Sequence, residues 1–345
     1  MKIINMIING EIGSEFWAVP IAEKKTNIFP ENTQWFLSGR SALQVILDEI
    51  KGFCRTVAMP SWCCDSMIKP FIDAGIEVHF YPVYWDNKLV INLCFEYDIL
   101  FLMDYFGYSS KKPDLSGYDG VVIRDITHSI FSDKYDDADY YFGSLRKWCG
   151  IWTGGYTWTN DGHSLRFVEK DNKEYVQLRK KAMLQKKAYI ERKIIGESEK
   201  QYLEFFASAE EMLENKGIAS AAYRDVILAS KLDSQFIIRQ RRSNANILRR
   251  AFYEWLIFPD MTENDCPLFV PVLIPNGKRD ALRQYLIEKD IYCPIHWPIS
   301  MYHKLNEDME YIYKNELSFI CDQRYTEIDM KRIIKTVKAF CDSGA

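Results

Sequence analysis

Between about residues 36 and 160, short apolar runs alternate with stretches whose apolar positions recur at helical spacing. Ser38-Gly39-Arg40 opens a helix with Leu43, Ile46, Leu47 and Ile50 along one face. Val57-Ala58-Met59 reads as a strand stopped by Pro60, and a second helix runs to Ala74, closed by Gly75. Further strands are predicted over 77–81, 99–103, 121–123, 140–142 and 155–158. Strands separated by helices need crossover connections, so the pattern predicts a mostly parallel sheet covered by helices. In open sheets of this kind a ligand lies beyond the carboxyl ends of the strands.

The second half of the chain changes character. Residues 165–215 are rich in Lys, Glu and Gln, with Lys-Lys pairs at 180–181 and 186–187. They read as a pair of solvated helices bridging two regions, in preference to a nucleic-acid patch. A helical stretch over 222–253 carries Arg239, Arg241 and Arg242. A small α/β unit follows, with a strand over 268–274, a helix over 278–289 and a strand over 291–296. The last helix starts at Thr326, with Asp329 completing a capping box, and buries Ile333, Val337 and Phe340. The expected organisation is a large α/β domain over 1–225, holding the N-terminal segment and a helical insertion, then a helical bridge and a small α/β domain over 226–345.

Composition narrows the function classes. Of 345 residues 48% are hydrophobic and 27% charged, enough apolar material for a large core and too much for disorder. With 44 basic against 48 acidic side chains the net charge is -4, which argues against a dedicated nucleic-acid binder. Nine cysteines occur without any C-x-x-C pair, so no zinc-type metal site and no disulfide framework are expected. The adjacent Cys63 and Cys64 read as small buried side chains before they read as a redox pair. The first ten residues suit neither a signal peptide nor a membrane span, so a cytoplasmic address is expected.

Three segments carry candidate chemistry. Ser38-Gly39-Arg40-Ser41 stands at a helix mouth, where glycine admits a close ligand and free N–H groups favour a phosphate; it also reads as an ordinary cap. The apolar strand ending in Asp125 places a carboxylate at the carboxyl edge of the sheet, near His128. Asp125 serves there either as a helix cap or as the partner of a protonated pyridine-type nitrogen. Ser144-Leu145-Arg146-Lys147, followed by Gly154-Gly155, puts a lysine just past a strand in an aromatic, glycine-rich setting. A lysine that loses solvation there has its pKa lowered, the state needed to form a Schiff base with an aldehyde; the plainer reading is an exposed loop lysine.

Taken in order, these segments resemble the fold-type-I pyridoxal-phosphate enzymes, and among them the DegT/DnrJ/StrS family of sugar aminotransferases. Ser38-Gly39-Arg40-Ser41-Ala42-Leu43 is similar to the family's S-G-T-x-A-L, and Val57-Ala58-Met59-Pro60-Ser61 to its V-x-x-P-S strand. Asp125 with His128, Lys147 with Gly154-Gly155, Arg224, the Arg241-Arg242 pair, and the segment from Asp290 to His296-Trp297-Pro298 extend the likeness over nearly the whole chain.

The resemblance implies a seven-stranded, mostly parallel sheet, and pyridoxal 5'-phosphate held by Lys147. It places Asp125 at the ring nitrogen and His128 at the ring or its phenolic oxygen. The phosphate falls to Gly39, Arg40 and Ser144, and Trp62 is the candidate for stacking on the ring, although the family's usual aromatic falls where this chain has Cys64. It further implies an amino-acid donor, glutamate, a keto-sugar acceptor linked to a nucleotide, a role in amino-sugar or polysaccharide synthesis, and a homodimer, with no membrane or nucleic-acid partner. Thr153 replaces the family's usual Glu, Ala222 its usual Asn and Phe142 its usual Ser, which leaves Ser144 for the last role. Elimination or dehydration on the same fold, and a degenerate member acting as sensor or scaffold, are the alternatives. Sugar dehydratases similar to the family carry His at the lysine position, which Lys147 opposes.

Overall fold

The computed structural model describes residues 10–26, 28–108, 113–132, 137–191, 200–215 and 217–343. The first nine residues, on which the reading of the N-terminus rests, lie outside them. The chain enters through a two-residue strand, β1 (Ile12–Gly13), then forms β2 (Gln34–Phe36) and helix α1 (Gly39–Ile50). A run of crossovers follows, through β3 (Thr56–Pro60), α2 (Asp65–Asp73) and β4 (Glu77–Tyr81). A hairpin, β5 (Val83–Trp85) and β6 (Leu89–Ile91), interrupts it. The run resumes with β7 (Ile99–Met103), β8 (Val121–Asp125), β9 (Tyr140–Ser144) and β10 (Gly155–Thr159).

Seven of these strands build one sheet in the order β2-β10-β9-β8-β7-β3-β4. Strands β4, β3, β7, β8 and β9 run parallel, while β10 runs antiparallel to both its neighbours. Every residue of β7 and β9 is buried, as strands covered on both faces require. Helix α1 presses Leu43, Ile46, Leu47 and Ile50 onto the sheet, and α2 buries Met67, Ile68 and Phe71 before Gly75 ends it in the left-handed region (φ 75°).

Two long helices, α3 (Lys173–Ile190) and α4 (Tyr202–Asn215), then pack against each other. They are not the solvated pair that their composition suggests. Lys186 is fully buried, paired with Glu11 and bonded to Ser14 Oγ and Tyr202 Oη, each at 3.1 Å. Arg179 is buried too, with its guanidinium 4.7 Å from the centre of the Phe206 ring. A lysine or arginine carries its charge inward when a partner and an aromatic face wait for it.

The stretch over 222–253 is two helices, α5 (Tyr223–Ala229) and α6 (Ser234–Ala251), because Asp233 caps the second by accepting the Phe236 N–H at 3.0 Å. The remaining elements are β11 (Val270–Leu273), α7 (Arg279–Ile287), β12 (Ile291–Tyr292), α8 (Glu307–Asn315), β13 (Glu316–Phe319) and α9 (Glu327–Asp342). Thr326 and Asp329 form the expected capping box on α9. The strand expected over 291–296 is only two residues long, while α8 and β13 stand where no element is expected. This unit has its own core, in which Leu248, Val270, Leu286, Leu317, Ile333 and Phe340 meet. Ile12 belongs to that core, and β1 pairs parallel with β12, so the N-terminal strand joins the small unit and not the large one. Among the described residues no helix is long and apolar enough to cross a membrane.

Candidate functional site

Strand register brings three segments to one edge of the large sheet. Phe36, Gly155 and Ser144 lie side by side across β2, β10 and β9, and Asp125 pairs with Phe142 one step away. Gly155 makes this possible, because a Cβ there would stand 1.9 Å from the Ser38 carbonyl oxygen. Just past Phe36, the Ser38 side chain caps α1 by accepting the Ser41 N–H at 3.2 Å. Among the described residues the N–H groups of Gly39 and Arg40 take no partner.

Opposite them, the Ser144 hydroxyl is buried and also lacks a partner. A methyl on Gly39 would sit 3.5 Å from Ser144 Cβ, filling the gap between the two. Two free N–H groups, an orphaned hydroxyl and a helix N-terminus form a cradle for an anion. The Arg40 side chain turns to a neighbouring hollow of about 270 Å³, so its contribution to the cradle is its backbone.

Asp125 ends β8 and is 2% exposed. Burial pushes its carboxyl up to about 6, against the pull of the Thr127 N–H and hydroxyl; the N–H reaches Oδ1 at 2.8 Å. Behind it Arg124 bridges Asp104 and Asp137 at 2.7 and 2.6 Å, and Ser129 donates to Asp104 at 2.5 Å. The Asp104 charge adds to the upward push on Asp125. A buried carboxyl so disposed gains from a cationic ring nitrogen, which offsets the cost of its ionised form.

His128 accepts the Phe106 N–H at Nδ1, 3.3 Å away, which puts its own proton on Nε2. Burial, with His296 and Lys147 nearby, holds this imidazole well below its usual range, so the ring is neutral. It lies parallel to Trp297, with ring centres 6.0 Å apart.

Lys147 ends a single 3₁₀ turn that leaves β9. Trp148 fixes the turn by donating its indole N–H to the Thr127 carbonyl at 2.6 Å. Arg146 turns away, to Glu210 and to Tyr175 Oη. Lys147 itself is exposed, the loop setting of the two that the sequence allows, and among the described residues its ammonium has no partner. Its charge nevertheless acts on Asp125, His128 and Cys64, so the four groups share one neighbourhood.

Trp62 does not offer a free face to this site. It is fully buried, stacked on Tyr105 with ring centres 4.8 Å apart, and its indole N–H donates to the His296 carbonyl at 2.7 Å. Two residues on, Cys64 stands at the N-terminus of α2, with its thiol pushed up by burial and 2.8 Å from Ser66 Oγ. Thr153 has a structural task that the sequence does not announce. Its N–H and hydroxyl both donate to Asp225 Oδ2, at 2.8 and 2.7 Å, and its hydroxyl accepts the Ala222 N–H. Arg224 closes the knot, bonding Asp225 Oδ1 at 2.8 Å and lying over the Trp152 ring.

Lys147 opens on a cavity of about 360 Å³ between the two units, with Ser14, Arg241, Arg283, Tyr292 and Asp322 in its wall. An anion cradle, a buried carboxyl and a free amine therefore stand at one edge of the sheet, a set whose chemistry fits a ligand with an anionic end, a basic ring and a carbonyl. This suits the phosphate, pyridine nitrogen and aldehyde of pyridoxal phosphate.

No family model matches the sequence, and no curated protein matches it. Solved structures do match. A DegT/DnrJ/EryC1/StrS aminotransferase from Brucella abortus superposes with a TM-score of 0.59 at 17% identity, covering 89% of this chain and 85% of its own. Helicobacter pylori PseC, an aminotransferase of pseudoaminic acid biosynthesis, gives 0.60 at 14% identity, covering 96% and 100%. DesV from S. venezuelae, solved with a ketimine intermediate, gives 0.60 at 13% identity, covering 89% and 84%. At these identities the likeness establishes the fold, which is that of the fold-type-I aminotransferases.

Proposed function

We propose that this chain is a pyridoxal 5'-phosphate-dependent aminotransferase, moving an amino group from an amino acid, glutamate, to a nucleotide-linked keto-sugar. The setting is amino-sugar or polysaccharide synthesis in the cytoplasm, with the working form a homodimer. The observation that carries the reading is the orphaned Ser144 hydroxyl, buried opposite the free N–H groups of Gly39 and Arg40 at the edge where Asp125 and Lys147 also stand. A buried hydroxyl without a partner costs about 1–3 kcal/mol, and an anion that accepts from it removes that cost.

Gly39, Arg40 and Ser144 would hold the phosphate, and Asp125 would face the ring nitrogen. The bound cofactor supplies an aldehyde and an electron sink that stabilises negative charge on the carbon beside the substrate nitrogen. Asp125 would pair with the ring nitrogen and hold a proton there, which would keep the sink strong. His128, neutral with its proton on Nε2, donates a hydrogen bond without adding a second cation. Lys147 Nζ would hold the cofactor and would take and return a proton at the reacting carbon. Its open position gives the amine room to leave and return.

Full-length protein mixed with the cofactor is expected to develop visible absorption that glutamate bleaches. Borohydride should fix the label on the peptide holding Lys147. Lys147→Ala should abolish both, and their retention would overturn the assignment. Ser144→Ala should weaken cofactor binding by about tenfold while leaving the melting temperature of the cofactor-free protein unchanged or raised, because the hydroxyl has no protein partner to lose.

A further inference from the structure

The cavity beside Lys147 is lopsided in charge. Arg146, Lys147, Arg241, Arg283 and Arg324 line it against only Glu15 and Asp322. Most of these charges are already engaged. Arg146 is clasped by Glu210, and Glu15 faces Arg179 at 3.5 Å. Arg324 holds Asp322 through Nε at 2.9 Å and Nη2 at 2.8 Å. Arg241 spends its donors on Gln323 Oε1 and on the carbonyls of Pro267 and Leu268, and lies over the Trp148 ring.

Arg283 differs from all of these. It projects from α7, half-buried, and its Nε donates to the Cys293 carbonyl at 3.3 Å. Among the described residues its two terminal nitrogens have no partner, and no carboxylate pairs with it. The Nε bond limits rotation of the planar group, which leaves a two-pronged donor held in place. Its position in the wall of the Lys147 cavity, with positive charge in excess, matches a ligand carrying a carboxylate or a phosphate.

We propose that Arg283 is the anion-recognition residue of this cavity, gripping with both terminal nitrogens a carboxylate or phosphate of the compound that reaches Lys147. The proposal rests on the function above for the reaction that this compound enters, and not for the binding of the anion itself. Two sources share the chemistry, the carboxylate of an amino-acid donor and the phosphate of a nucleotide-linked acceptor. Glutarate stands for the first and uridine diphosphate for the second.

Calorimetric titration of the full chain without cofactor separates them. One probe should bind the natural protein and bind Arg283→Gln about tenfold more weakly, a change of about 1.4 kcal/mol, with Arg283→Lys between the two because a point charge replaces a fork. Stronger binding of glutarate assigns the donor carboxylate, and stronger binding of uridine diphosphate the acceptor phosphate. Equal binding by Arg283→Gln and the natural protein overturns the proposal, as does binding of neither probe. Borohydride labelling of Lys147 reports on the aminotransferase reading separately. Its loss with probe binding intact sinks that reading alone, and its presence with probe binding insensitive to Arg283 sinks this one alone.

Discussion

Asp125 shows how one buried carboxyl ties stability to function. Its folded-state value, pushed up to about 6, lies above the ordinary carboxylate value near 4. Below about pH 4 the group is neutral folded or unfolded and costs nothing. As pH rises through the window between about 4 and 6 the unfolded chain ionises first, so the cofactor-free protein loses stability, and above about 6 the loss is complete. Asp125→Asn keeps an oxygen for the Thr127 N–H and cannot ionise. The variant should therefore gain on the natural protein across that window, by about 3 kcal/mol at most at neutral pH. Urea unfolding of both proteins from about pH 4 to 7 tests this, and a difference that does not change with pH would refute it. Asp125 and Lys147 are legible in the sequence because one ends an apolar strand and the other stands a single turn past one. Lys186 is not, since its burial is decided by Glu11, far away in the chain, while its neighbours read as a solvated helix.

Among the elements, β10 carries the closest tolerance. Its first residue, Gly155, lets the Ser38 carbonyl approach to where a side chain would be, and the cradle at Gly39 and Ser144 depends on that approach. Gly155→Ala should destabilise the protein by about 3 kcal/mol and weaken cofactor binding together with stability. Gly75→Ala, at an open turn with nothing within 4 Å, should leave binding unchanged and cost about 1 kcal/mol through its positive φ. Thermal melts and cofactor titration on the two variants separate close packing from backbone strain.

Most elements near the site follow from apolar periodicity and punctuation. Helix α1 is announced by its repeat, α2 by Gly75, and α9 by Thr326 and Asp329. The antiparallel course of β10 is invisible, because a strand covered on both faces has the same composition in either direction. Strand β1 escapes for another reason. Two residues cannot display an alternation, and only its pairing with β12 across the chain defines it. Trp62, the stacking candidate that the resemblance implies, is held inside by the aromatic stack with Tyr105 and the His296 carbonyl, contacts across the chain that its place after β3 does not announce.

For the whole molecule, the Glu11–Lys186 pair joins the N-terminal segment to the α3–α4 hairpin, and β1 carries that segment into the small unit. Burial pushes the Lys186 ammonium down, opposed by Glu11, so each charge depends on the other. Lys186→Met alone should cost about 3 kcal/mol by leaving the buried Glu11 with only the more distant Lys200 at 3.9 Å, and adding Glu11→Leu should recover most of it. A double-mutant cycle in urea measures the coupling, and additive losses would show that the pair is not the fastener.

The cavity between the units divides labour along the chain. Lys147 and the groups around it sit on the edge of one core, whereas Arg283 and Tyr292 stand on the other. Under the proposed roles, the residue that selects a ligand and the amine that reacts with it stand on separate cores. A library confined to the cavity face of α7 therefore tests selectivity without changing Lys147 or its surroundings, read as altered probe binding with borohydride labelling of Lys147 unchanged.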